Sequence, residues 1–432
     1  MQLPSLPASL WRDTASSPEL HPPALTGDET CDIAVVGGGY TGLHAALAFA
    51  DLGLNVVLLE AGSPGQGASG RNGGVVSAKF RRSFGDLAKS HGLDVARRMH
   101  AIANGSVDHL LATLERFDLK DAGFRQVGAL KCAHSSRAYH HASEEAAWLR
   151  DILGETNLKT LGRDAVAEET GTKGFVGGVL QENAGTIQPL SYLMGLWRAL
   201  SVLGVPVFAE TPVTDIRDTG TGVRIRTQAG EVHARKALLA TNAFQVSGKA
   251  GQRIARGLVP FRSAIIATEK LPPDLYRKLL KHERSYTETR RMMRWFRKSD
   301  GRILFGGRGA LGHVEAPAAF DRLEKAMRAI FPSLDGMKVE YRWSGQVALS
   351  FDGLPIAGLV TDRIGYAGGF NGAGVAMSGF VGDQIARRMT DQPHDLSLIA
   401  RASVPSMPLY QLRALMVRGA ACGLELMDSA GL

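Results

Sequence analysis

The clearest pattern of apolar and polar positions lies between Cys31 and Glu60. Ile33–Val36 is a short β-branched run and stops at Gly37, Gly38 and Gly39, with Gly42 three residues on. Leu43–Leu52 is rich in Ala and Leu, favours a helix, and ends at Gly53, a residue suited to capping a helix. Asn55–Leu59 is a second apolar run, closed by Glu60. The order predicted is strand, glycine turn, helix, strand, acid.

Further along, an apolar stripe of Leu87, Met99, Ile102, Val107, Leu110, Leu111 and Leu114 predicts helix from Asp86 to Phe117. Helices are also predicted over Arg137–Leu153 and Leu190–Leu203, with a strand pair around Gly128 between Phe124 and Cys132. His134, His140 and His141 read as residues of solvated helix faces rather than ligands. Val205–Ala240, interrupted by Gly220, Gly222 and Gly230, reads as a small antiparallel meander. It ends in an apolar strand running into Ala240, Thr241, Asn242 and Ala243. Longer antiparallel strands with one helix, Ala318–Ile330, are expected over 258–340. The stretch from Ile364 repeats the opening logic, with a strand, a glycine turn over Gly368–Gly374, and an amphipathic helix.

These elements define an α/β chain with a Rossmann-like nucleotide domain interleaved with an antiparallel-sheet substrate domain. At 432 residues the chain exceeds one ordinary core. The nucleotide domain is assigned 30–85, 155–245 and 341–395, and the substrate or cap domain 86–154 and 246–340. Residues 1–29 form an extended surface leader that Trp11 anchors, and 396–432 a C-terminal tail.

Chemistry enters through the glycines. In G-x-G-x-x-G, Gly37 permits the tight turn, Gly39 lets backbone approach a pyrophosphate, and Gly42 lets the helix pack on the sheet. The phosphates then meet free N–H groups at a helix N-terminus. Glu60 is placed to bind ribose hydroxyls, which disfavours NADP, so this half-site suits the ADP part of FAD or NAD. The stretch after Glu60 has glycines at 62, 65, 67, 70, 73 and 74, a density that lets N–H groups converge on an anion, with Arg71 and Asn72 in reach of phosphate or ring carbonyls.

Composition narrows the setting. A net charge of +8 and a pI near 9.4 invite a nucleic-acid partner, but the basic residues are scattered in pairs such as Arg81-Arg82 and Arg387-Arg388, with no reading motif. Anionic substrates, a phosphate cofactor or peripheral contact with an acidic membrane account for the excess. Three distant cysteines, Cys31, Cys132 and Cys422, lack a metal spacing and point to a reducing compartment, the cytoplasm. No metal site is expected, and oligomeric state is left open.

Taken together, IAVVGGGYTGLHAALAFA (33–50), GASGRNGG (67–74), LLATNAF (238–244), RILFGGR (302–308), WSGQVALSFDGLPIAG (343–358) and GYAGGFNGAGVAMS (365–378) resemble the FAD-dependent D-amino-acid oxidase family, and within it the γ-glutamylputrescine oxidoreductase branch. The resemblance implies FAD rather than NAD. It places Gly37, Gly39, Tyr40, Thr41 and Gly42 at the pyrophosphate, Glu60 and Ala61 at the ribose, and Val213 at adenine. Ser69, Arg71, Asn72, Gly73 and Gly74 would pass along the phosphates towards the ring, near Ala240 and Thr241. Gly369, Phe370, Asn371, Gly372, Gly374 and Val375 would hold the ring's pyrimidine edge.

The implied reaction is hydride removal from a C–H beside an amine nitrogen, followed by imine hydrolysis, with O2 or another acceptor taking the electrons. No dedicated acid, base or nucleophile is expected. No Cys or His occurs in 67–74 or 343–358, so the flavin is expected to be non-covalent. The oxygen-activating lysine that the family's sarcosine oxidases place on this strand has no counterpart in Arg302-Ile303-Leu304-Phe305, which keeps a dehydrogenase open. No carboxylate-gripping arginine is found near Ser77, which favours a larger amine over a simple amino acid. Substrate contact is assigned to Arg308, Arg262, Trp295 and Phe370, with Phe296 and Trp343 as further candidate walls. The alternatives are a D-amino-acid, glycine or sarcosine enzyme, and a flavin-binding subunit or sensor without turnover.

Overall fold

The structure, a computed structural model, describes residues 8–16, 19–291, 293–311, 317–406, 410 and 419, without the side chains of 308–311. Two large sheets organise it. In the first, Glu29–Val36 lies between Val56–Leu59 and Glu231–Leu239 and runs parallel to both. Val207–Phe208 and Ile364–Gly368 extend the sheet on either side, and Ile356–Thr361 and Ala400–Arg401 finish one edge. Asp215–Asp218 and Val223–Arg226 fold back antiparallel, making nine strands. Val56–Leu59 is buried throughout. An uninterrupted apolar run is what a parallel strand covered on both faces requires.

The covering helix Tyr40–Asp51 packs against Pro189–Val202 and Gly374–Met389. A Cβ on Gly382 would come within 2.3 Å of the Thr41 carbonyl oxygen, so the opening and closing helices meet backbone to backbone.

The second sheet has eight strands in the order Val339–Leu349, Val259–Thr268, Arg302–Leu311, Trp295–Ser299, Ser285–Glu288, Ala129–Ala133, Gly177–Gln181 and Leu158–Gly162. One pairing is parallel, Ser285–Glu288 with Ala129–Ala133. Ala264, Ile266, Phe296 and Phe305 pack under helix Pro317–Ile330. The Phe296 ring stacks on Phe175, Tyr286 and Phe305 at 5.6–6.1 Å. Phe296 and the fully buried Trp343 are thus core residues.

Several boundaries differ from expectation. Leu158–Gly162 and Gly177–Gln181, assigned with the nucleotide domain, pair within the second sheet beside Ala129–Ala133. Val339–Leu349 likewise joins that sheet through Val259–Thr268. The strands that place them in this sheet, Ala129–Ala133 and Val259–Thr268, are distant in sequence, so local pattern does not reveal the pairing. The single helix expected over 86–117 is two, Phe84–His91 and Leu93–Arg116, broken where Gly92 takes φ +89°. The expected strand pair around Gly128 is one strand, Ala129–Ala133, preceded by an isolated Arg125–Thr186 bridge. A short extra helix, Pro273–Lys278, accompanies the long strands.

The leader contains a helical turn, Leu10–Asp13, with Trp11 fully buried. His134 bonds Thr289 Oγ1 through Nδ1 at 2.7 Å, whereas His140 and His141 are exposed. Most of the tail beyond 406 lies outside the described residues.

Candidate active site

The opening turn is held by side chains from elsewhere. Gly37 adopts φ +113°, and a Cβ there would lie 2.8 Å from the Ala240 carbonyl oxygen. The Gly38 and Gly62 N–H groups donate to Glu60 at 2.7 and 3.1 Å. Burial raises the Glu60 pKa, and those N–H bonds oppose the rise. A carboxylate so placed fixes the turn and faces the cavity that the turn borders.

Gly38 has its own constraint, absent from the fingerprint. A Cβ there would sit 2.3 Å from Trp197 Cζ2, and Trp197 Nε1 donates to the Gly38 carbonyl at 3.1 Å. Gly38 is explained by a tryptophan on helix Pro189–Val202, which sequence spacing does not reveal.

The next glycine loop is tied down from both sides. Ser69 Oγ accepts from the Tyr40 N–H at 3.1 Å. Asn72 Nδ2 donates to the Ser69 carbonyl at 2.8 Å, while its Oδ1 accepts from the Gly74 N–H at 2.8 Å. Trp11 Nε1 donates to the Asn72 carbonyl at 2.7 Å, so the leader braces this loop. Arg297 Nη1 donates to the carbonyls of Gly74, Ile187 and Gly73 at 2.7, 3.1 and 3.2 Å, its guanidinium 5.4 Å from the Trp11 ring. Burial pulls the Arg297 pKa down to about 10. Sequence reasoning passed over Arg297, since an arginine beside Lys298 and Ser299 reads as solvent-facing, whereas Phe296, Arg297 and Lys298 are all buried.

The second bend rests on two asparagines in the left-handed region, Asn242 at φ +49° and Asn371 at φ +56°. Asn242 Oδ1 accepts from the Gly369 N–H at 2.9 Å. Asn371 Nδ2 donates to the Gly369 carbonyl at 2.6 Å, and its Oδ1 accepts from the Ser350 N–H at 3.0 Å. The strand ending in Leu239 and the bend at Gly369–Gly374 are thereby locked together. Backbone strain of this kind concentrates at functional sites.

Both bends border one cavity of about 1260 Å³. Its wall includes Gly37, Gly39, Tyr40, Thr41, Glu60, Ala61, Ser69, Arg71, Asn72, Gly73, Val213, Ala240, Thr241, Phe370, Asn371, Gly372, Gly374, Val375 and Trp295. Trp295 lies in a slot that a Cβ on Gly73 or Gly306 would fill, at 2.7 and 2.2 Å.

Four expected site residues do not face it. Gly42 packs on the Gly37 carbonyl, 1.9 Å from where its Cβ would be, so it shapes the turn rather than touching phosphate. Gly74 and Gly369 stand behind their loops, where Cβ atoms would meet the Ile187 carbonyl oxygen at 2.2 Å and Leu258 Cδ2 at 2.9 Å. Arg262 is buried on the face opposite the wall residues Phe261 and Ser263, with its guanidinium on Ser344 Oγ. Strand side chains alternate between faces, and the register puts Arg262 on the wrong one. The Arg308 side chain lies outside the described residues.

A long cavity bordered at two separated glycine bends, with a buried acid beside the first and no room there for Cβ atoms, fits a flavin dinucleotide. The adenine end would lie by Val213 and the ring by Phe370 and Trp295. The model of the DAO family, FAD dependent oxidoreductase, matches residues 32–388. The chain belongs to this family, and with it goes FAD-dependent oxidation at a carbon beside an amine or amino nitrogen. It is similar to Gamma-glutamylputrescine oxidoreductase of Escherichia coli (strain K12), 31% identical over 414 residues and covering 95% of each chain. It is also similar to the probable oxidoreductase OrdL of Haemophilus influenzae (strain ATCC 51907 / DSM 11121 / KW20 / Rd), 29% identical over 89% of each. Among solved structures, glycine oxidase from Geobacillus kaustophilus shares the fold with a TM-score of 0.76 at 20% identity, over 88% of this chain and 100% of that one. No helix among the described residues is long and apolar enough to cross a membrane.

Proposed function

We propose that this chain is an amine oxidoreductase of the γ-glutamylputrescine type, acting on a primary or secondary amine at the end of an extended substrate. The observation that carries the reading is the cavity's reach. Beyond Trp295 and Phe370 its wall continues to Ala129, Lys131, Glu145, Leu149 and Gln181 of the second sheet and its helix Ser136–Leu153. That leaves a chamber beyond the nucleotide site for a substrate longer than a simple amino acid. The near full-length similarity to the Escherichia coli enzyme supports the same substrate class.

FAD, when bound, supplies the two-electron acceptor. The chain's own residues position and desolvate. Trp295 and Phe370 present apolar ring surface beside the second bend, which excludes water from a reacting C–H. Orientation of the substrate against a fixed wall is the main contribution asked of the protein.

The test is anaerobic bleaching of the visible flavin band of the purified holoprotein. γ-Glutamylputrescine should bleach it faster than glycine, sarcosine or a D-amino acid, and repeating the reaction in air separates oxidase from dehydrogenase. Faster bleaching by an amino acid would move the chain to that branch, and a band indifferent to every donor would make it a flavin-binding subunit or sensor.

A further inference from the structure

The glycine loop after Glu60 is held from outside by three buried side chains, Trp343, Trp11 and Arg297. Trp343 Nε1 donates to the Arg71 carbonyl at 3.1 Å and Trp11 Nε1 to the Asn72 carbonyl at 2.7 Å, while Arg297 serves those of Gly73 and Gly74. Four successive carbonyls are thus pinned. A trans peptide points its N–H opposite to its carbonyl, so fixing the Asn72 carbonyl on the indole also aims the Gly73 N–H away from it. Asn72 and Gly73 border the cavity, and Trp11 does not.

Trp11 differs from the other two holders. Trp343 and Arg297 belong to strands of the second sheet, whereas Trp11 stands on a four-residue turn, Leu10–Asp13. A single helical turn has no stability of its own. What fixes it is what Trp11 touches: the Gln188 side chain, which donates to the Trp11 carbonyl at 2.7 Å, the Trp343 ring, edge-on at 6.0 Å, and the Asn72 carbonyl. Gln188 also caps helix Pro189–Val202, whose Trp197 seats Gly38. One indole therefore ties the second glycine loop to the helix behind the first.

We infer that Trp11 is a positioning residue for the flavin: it aims the Gly73 N–H into the cavity from outside, so that FAD binding and docking of the leader turn stabilise each other. Whatever affinity FAD gains from a docked turn, the turn gains from bound FAD, because coupling between two sites is reciprocal. The inference needs the FAD cofactor and not the amine substrate, so it stands or falls apart from the reading above.

The experiment compares wild type and Trp11→Phe, each as FAD-loaded protein and as apoprotein. Phenylalanine keeps an aromatic ring in the slot and removes the N–H. Leaving the Asn72 carbonyl without its donor should raise the Kd for FAD about 5- to 100-fold, read from flavin fluorescence as apoprotein is titrated. The melting temperature of the loaded protein should fall and that of the apoprotein should stay, because the turn is already loose there. In wild type, trypsin should cut after Arg12 before it digests the rest of the apoprotein, and FAD should suppress that cut. This comparison needs no variant, so it decides the matter even if Trp11→Phe does not fold. Unchanged FAD affinity, with an equal loss of melting temperature in both forms, would make Trp11 a core residue and overturn the inference. So would cleavage after Arg12 that FAD does not slow.

Discussion

At the scale of single residues, the site is governed by what cannot fit. Gly38 is the sharpest case, because the missing Cβ would overlap the six-membered ring of a tryptophan that is itself fully buried. Gly38→Ala should cost about 1–3 kcal/mol, the usual range for overpacking a filled core, and weaken FAD retention. The cause is one contact, so Gly38→Ala combined with Trp197→Leu should cost less than the two single changes summed. Urea unfolding of the four proteins measures this, and strict additivity would show that Trp197 is not what excludes the methyl group. The G-x-G-x-x-G spacing was readable because backbone geometry alone demands it. The need for a glycine at position 38 was not, since its reason sits on a helix far along the chain.

At the scale of elements, the helices behind the glycine turn are joined by a buried polar chain. His44 Nε2 is 2.9 Å from Tyr192 Oη, and His44 Nδ1 is 2.9 Å from His109 Nε2, linking Tyr40–Asp51 to Pro189–Val202 and Leu93–Arg116. Burial first, and repulsion from His109 second, hold the His44 pKa well below its ordinary value. Its folded pKa is thus lower than its unfolded one, so the unfolded chain takes up the proton first on acidification. The contribution of His44 to stability is complete above the unfolded pKa of about 6.5. Below it, stability should fall by about 1.4 kcal/mol per pH unit until the lowered folded pKa is reached. Unfolding midpoints between neutral and mildly acid pH should show a shallower slope for His44→Gln than for wild type, and identical slopes would assign the acid sensitivity elsewhere. Strong periodicity made the helices themselves legible, as in Pro317–Ile330. Strand pairing was less so, because Leu158–Gly162 and Gly177–Gln181 take their places from partners that local pattern does not name.

For the whole molecule, the arrangement of thiols and imidazoles bears on how the cofactor is kept. Cys31 and Cys132 are buried, with thiol pKa values pushed up by burial, and neither borders the cavity. Among the described residues the wall holds one imidazole, His100, which bonds Glu155 at 3.0 Å. FAD should therefore be released into the supernatant when the holoprotein is precipitated with acid. Colour remaining in the pellet would show a covalent link.

The meeting of helices Tyr40–Asp51 and Gly374–Met389, with Gly382 seated on the Thr41 carbonyl, also constrains biosynthesis. One side of the cofactor cradle is made by Glu29–Glu60, yet its counterpart at Gly369–Gly374 emerges from the ribosome only after the long stretch between them has been translated. A nascent polypeptide arrested before Gly374 lacks the helix that closes the cradle. Cofactor capture thus waits for both segments, and yellow colour reports that they have found each other.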